Sequence, residues 1–428
     1  MVFVFQSVYF AEVGIDLDKI FLNSALSVIF SLLVVNLWSK VSDKTDQKKK
    51  FIVIGNVFRL IAFAFLPIVR DVPSMFVYTI ILNSGPNPDS IFISYVYKIS
   101  DYINPKQQNE RPIYHKISTY TEIRKFGSVG WACMLPFAGL IIDTLGFKWN
   151  FLFSASLLGI MTLIFALKFD ESLVKNLAPA DEDRIDQHDD LNSNNPILNL
   201  GTKSDETAES VESVDESPYD VGSSLWKNIK WILRNEMYKI FIVVSFIAAI
   251  AGSMSTTIFS IFNNQFSNDS YILLSLTWSV NAFIEYPIMN LVSDKVEKYG
   301  WQRVIIFTYF LGMIRFLLNP LLLLFDGTII WIYLFQIING INFGLSWPAT
   351  TYGLNVNLDK DQKSLGMTFY NSMKLAGNFT GNMIGSLIAL MITDSDMFYN
   401  TLYVLAASIS LIAALILYKK SKERNWQN

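Results

Sequence analysis

Apolar stretches about as long as a bilayer is thick recur along this chain, and that recurrence constrains its fold more than any other feature. A helix needs about 20 apolar residues to cross the hydrocarbon core. Segments of that kind stand at about 20–38, 51–69, 75–99, 124–142, 150–168, 238–262, 272–293, 303–325, 329–353, 366–392 and 398–418. A shorter apolar piece at 1–10 precedes them. It has neither the basic start nor the small-residue cleavage site of a signal peptide. Charged residues make up 17% of the chain, against roughly 25% in soluble domains. An ordinary soluble enzyme is disfavoured, and the expected fold class is an all-α polytopic membrane protein. Cys133 is the single cysteine, which excludes an intramolecular disulfide and CxxC sites. No P-loop, HExxH motif or His/Cys cluster occurs, so no cofactor, metal or enzymatic role is expected.

Composition divides the chain. Residues 169–225 carry fifteen acidic and three basic side chains. Few apolar residues are available there to offset the entropy of ordering, so this stretch is expected to be a disordered acidic linker. It separates an N-terminal transmembrane half, 1–168, from a C-terminal half, 226–428. Without it the chain carries +9. The positive charge collects in alternate connections: Lys40, Lys44 and 48–50; Lys98, Lys106, Arg111 and Lys116; Lys295, Lys298 and Arg303; Lys360 and Lys363; and Lys419, Lys420, Lys422 and Arg424. By the positive-inside rule these connections, the linker and the C-terminus are expected in the cytoplasm.

The tetrapeptide Val41-Ser42-Asp43-Lys44 recurs as Val292-Ser293-Asp294-Lys295. Each copy ends an apolar segment and opens a basic connection. Duplicated six-helix halves are a common plan among secondary transporters. At this offset the counterpart of Tyr238 falls before Met1, so the first helix is expected to be incomplete.

Two six-helix halves, a long middle connection and Asp-Lys after the second and eighth helices resemble the major facilitator superfamily. The pairs Asp43-Lys44 and Asp294-Lys295 fill the centre of that family's conformational loop motif. Ser39 and Asn290 stand where it has Gly. The run Arg124-Lys125-Phe126-Gly127-Ser128-Val129-Gly130-Trp131 is similar to the fifth helix of the lactose permease branch and its oligosaccharide and nucleoside:proton symporter relatives. The resemblance implies that Arg124 binds substrate hydroxyls and that Trp131, seven residues on and on the same face, stacks on a ring. It also implies substrate-lining roles for Asp89, Arg315, Asn339 and Asn342. Asn339 and Asn342 replace the His and Glu that carry protons in the lactose permease. His115 and His188, the two histidines, both fall in segments expected to be cytoplasmic, so a histidine relay inside the membrane is excluded.

Six charges interrupt apolar segments: Arg59, Asp89, Arg124, Glu285, Arg315 and Lys374. Each costs at least about 2.5–3.5 kcal/mol at a helix centre, and such residues face the bundle interior or a pathway. The alternative is a structural ion pair. Arg124 is expected near a helix start, where it can snorkel; Arg59 and Lys374 are expected at more peripheral places, although the resemblance puts Lys374 where that family has a lysine in its eleventh helix. Glu285 is the expected proton carrier, opposed by Arg315. Four cations against two carboxylates also leave room for an anionic solute near Arg124 or Arg315. The expected function is a monomeric secondary transporter of the plasma membrane that moves a sugar, nucleoside or organic acid by alternating access with a proton. A uniporter and a non-transporting sensor are the alternatives. Small solute, proton and lipid are the expected partners, and nucleic acid is not one.

Overall fold

The computed structural model describes residues 2–45, 47–88, 91, 112–169, 225–292, 295–324, 328–358 and 363–423. Asp89, Asp294, His188 and 170–224 of the linker lie outside them. Among the described residues the chain is helical. The N-terminal group is α1 (Val2–Glu12), α2 (Leu17–Thr45), α3 (Lys48–Phe65), α4 (Val72–Ser84), α5 (Pro112–Leu145) and α6 (Phe147–Lys168). The C-terminal group is α7 (Leu225–Ile232), α8 (Glu236–Asn264), α9 (Tyr271–Val292), α10 (Val296–Tyr299), α11 (Trp301–Leu324), α12 (Ile329–Asn357), α13 (Lys363–Met391) and α14 (Ser395–Glu423).

Nine of the described helices are long and apolar enough to span a bilayer. The α13 helix is as long as the others but too polar to be among them. Its segment was expected to be an apolar span, and the polar face described below accounts for the difference. Only α4 and its flank represent the 75–99 segment among the described residues. The α5 helix begins at Pro112, a residue suited to the first helical position. Arg124 therefore lies twelve residues into the helix, about 18 Å along its axis, and not at the expected helix start.

Local chemistry sets several boundaries. Asp71 and Ser74 form a reciprocal capping box at α4: the Ser74 amide donates to Asp71 Oδ1 (2.9 Å) and the Asp71 amide to Ser74 Oγ (3.2 Å). Side-chain and backbone hydrogen bonds from Ser74 hold the exposed Asp71 carboxyl below its ordinary range. Gly146 at φ 88° lets the chain turn from α5 into α6. Lys295 opens the short α10. Asp43 and Lys44 fall in the last turns of α2.

Polar side chains tie helices together where lipid offers no alternative partner. Thr79 of α4 donates to Asn23 of α2 (2.7 Å), and Trp38 Nε1 donates to the Ser84 carbonyl (3.0 Å). Aromatic residues fill the N-terminal core, with Phe5, Phe10, Tyr78 and Phe151 fully buried. A second core gathers Phe259, Phe262, Phe398 and Tyr403 of α8 and α14.

The two groups meet along two seams, α5 against α9 and α2 against α13. At the α5–α9 seam Asp143 crosses between groups. Its carboxylate accepts from the amides of Tyr271 (2.7 Å) and Ile272 (3.1 Å) and from Ser270 Oγ (3.1 Å). It thus serves the free amides at the start of α9. At the α2–α13 seam Ser386 Oγ donates to the Asp18 carbonyl (2.9 Å).

Candidate functional site

Two of the places where charge enters the bundle bear on a site. The first place lies on the seam between the groups. Arg124 of α5 donates from Nη2 to Glu285 Oε1 of α9 at 3.3 Å. The Glu285 residue is 5% exposed. The Arg124 guanidinium also lies 4.7 Å from the ring centre of Trp347 on α12, within the range of a cation–π contact. Pro287 and Pro348 follow Glu285 and Trp347 closely inside their helices. Each proline removes a backbone hydrogen bond, so both helices are locally loosened beside the charged group.

The expected partner of Glu285 was Arg315, and the structure joins it to Arg124 instead. Arg315 of α11 faces the interior of the C-terminal group. It donates to Asn339 Oδ1 (2.6 Å) and Ser255 Oγ (3.4 Å) and lies over the rings of Phe259 and Phe316. Asn339 in turn donates to Gln336 Oε1 (3.0 Å). The separation follows from topology, since Arg315 and Glu285 sit on helices whose polar faces point to different neighbours.

The other expected site residues are dispersed. Trp131 lies on α5 and is 36% exposed; the indole against Arg124 is that of Trp347. Asn342 stands beside Gly312 of α11. Arg59 donates to Asn87 Oδ1 at 3.4 Å within the N-terminal group.

The second place is a cavity of about 430 Å³, inside the range of small-ligand sites. Four helices of the C-terminal group supply most of its wall. Tyr370, Lys374, Asn378 and Asn382 recur every four residues along α13 and line it together. Thr256 and Ser253 of α8, Tyr309 of α11, and Ser346 and Thr350 of α12 add hydroxyls. Val28 of α2 closes it from the N-terminal group. Thr257 Oγ1 donates to Asn382 Oδ1 (2.8 Å) and fixes that amide. A Cβ at Gly252 would meet nothing within 4 Å, so the wall is open there. Lys374 was expected at the periphery, and the structure turns it into this cavity. Tyr370, Asn378 and Asn382 were missed in the sequence, although their four-residue spacing around Lys374 was visible.

Among the described residues no group of His, Cys, Asp and Glu could hold a metal. The wall is instead suited to a small polar solute: hydroxyls and amides to bind it, aromatic and aliphatic faces to exclude water. A family model described as the MFS_1 like family matches residues 2–401. The chain belongs to this family. Its fold is that of major facilitator transporters. The nucleoside transporter NupG superposes with a TM-score of 0.65 at 16% identity, covering 99% of this chain and 95% of that one. A D-xylose-proton symporter gives 0.64 at 14% identity, covering 97% and 91%. An uncharacterized transporter of Bacillus subtilis (strain 168), YwbF, is 22% identical over 201 residues, a match spanning 46% of this chain and 48% of YwbF. At these identities the solved structures speak for the fold alone. The family is one of membrane transporters.

Proposed function

We propose that this chain is a secondary active transporter that carries a small organic solute, such as a sugar, nucleoside or organic acid, across the plasma membrane together with a proton. The observation that carries this reading is the Arg124–Glu285 ion pair, which joins the two helix groups beside Trp347. Alternating access requires the groups, as the two halves, to rock against each other. A charged contact across their seam is then made and broken in each cycle. Protonation of Glu285 cancels its charge and releases Arg124, and a solute that engages Arg124 competes for the same guanidinium. Either event loosens the seam, so proton and solute are linked through one bond. The similarity to a nucleoside transporter and a D-xylose-proton symporter supports a polar solute and proton coupling. The charge pattern of the connections supports a cytoplasmic linker and C-terminus.

Proteoliposomes carrying Glu285→Gln test the coupling. The variant keeps the size of the side chain and removes its charge. It is expected to retain counterflow of solute and to lose accumulation driven by a pH gradient. Accumulation equal to that of the wild type would overturn Glu285 as the coupling residue.

A further inference from the structure

Among the described residues one charged side chain, Lys374, lines the cavity. Lys374 is the cation there, and among the described residues no carboxylate lines the wall with it. The other interior cations are differently placed. Arg124 is matched by Glu285, and Arg315 is buried among Asn339, Ser255 and two phenyl rings. Among the described residues no ion pair involves Lys374, and its side chain is exposed to the cavity. Lys374 stands eleven residues into α13, about 16 Å along the helix axis and thus close to the depth of the bilayer centre. A snorkelling explanation through lipid fails at that depth, because the side chain lines the cavity instead of the helix's outer face.

We infer that the cavity between α8, α11, α12 and α13 takes a small organic anion, with its carboxylate on the Lys374 ammonium and its body against Tyr309, Tyr370 and Phe343. This rests on the alternating-access reading, because that cycle must close the cavity at both ends around its solute. A neutral solute would leave an ammonium sealed in a low-dielectric space without a counter-charge, which is strongly unfavourable. A carboxylate brings the missing charge with it. Asn378, one helical turn from Lys374, lines the same wall and carries an amide that can donate to the remaining carboxylate oxygen. The open wall at Gly252 leaves space for the organic part.

The test uses the purified full chain in lipid nanodiscs, with thermal midpoints recorded against rising lactate, succinate and benzoate, and against xylose and uridine. At least one of the three carboxylates is expected to raise the midpoint saturably. Lys374→Gln should weaken that response at least ten-fold, and Lys374→Arg, which keeps the charge, should restore most of it. Two results overturn the inference: no shift with any of the three carboxylates, or stabilisation by xylose or uridine that Lys374→Gln leaves unchanged. Counterflow of the same solutes in proteoliposomes tests transport separately. A carboxylate that binds through Lys374 and does not exchange would refute the transporter reading and leave the anion site standing. A neutral solute that exchanges in both wild type and Lys374→Gln would do the reverse.

Discussion

Arg315 is a buried cation that donates to an amide and a hydroxyl and lies over two aromatic faces. Among the described residues its Nε and the amide nitrogen of nearby Gln336 find no hydrogen-bond partner. Such a group depends strongly on the bonds it does make. Asn339→Leu removes the 2.6 Å contact and leaves the guanidinium poorly satisfied; a cost of about 1–3 kcal/mol is expected. Replacing both members, Arg315→Met with Asn339→Leu, removes the need along with the partner and should recover much of that loss. Thermal unfolding in detergent of the two variants checks this: a double variant no more stable than Asn339→Leu alone would show that Arg315 has a further essential contact. The residues themselves were legible in the sequence, because a charge in an apolar segment stands out. Their pairing was not. Hydropathy says that Glu285, Arg124 and Arg315 face inward, but only the packing of α5 on α9 decides which cation meets the carboxylate.

At the scale of elements, two helices show what hydropathy reads and what it misses. The start of α5 at Pro112 was hidden because 112–123 is too polar to register as a span, although helical order continues through it. The polar stripe of α13 lowers its hydropathy below that of the other long helices, although its segment reads as apolar on length alone. A four-residue period is the signal that exposes its polar face. The α9 helix adds a dependency no sequence pattern announces, since its first amides are served by Asp143 from the other group. Asp143→Ala removes those acceptors. By analogy with loss of an N-cap, about 1 kcal/mol of the closed seam should go, roughly a five-fold change in population. Spin labels on Leu145 and Met397, both exposed at this end of the bundle, would report it after the exposed Cys133 is changed to Ser. The variant should add a longer distance to the distribution, and an unchanged distribution would remove Asp143 from the control of this seam.

Across the whole molecule, close helix approach is built from small residues, as expected where lipid supplies no hydrophobic drive between helices. The glycines divide by what they separate. Gly340 and Gly344 of α12 lie against Ile284 and Ile288 of α9, inside the C-terminal group. Gly139 of α5 lies against the Tyr271 carbonyl and Gly385 of α13 against the Phe21 ring, both between groups. A side chain at any of these positions must displace its neighbour, and overpacking commonly costs about 1–3 kcal/mol. The consequences should differ. Within a group, both helices move as one body in every state, so Gly340→Leu should lower the thermal midpoint and disturb transport only through lost protein. Between groups, the molecule can escape the clash by separating the seam. Gly385→Leu is therefore expected to leave the thermal midpoint within a few degrees, lengthen the distance between the labels on Leu145 and Met397, and slow counterflow by an order of magnitude or more. Equal loss of stability in Gly340→Leu and Gly385→Leu, with no change in label distance, would mean that the two groups form one rigid core and do not rock.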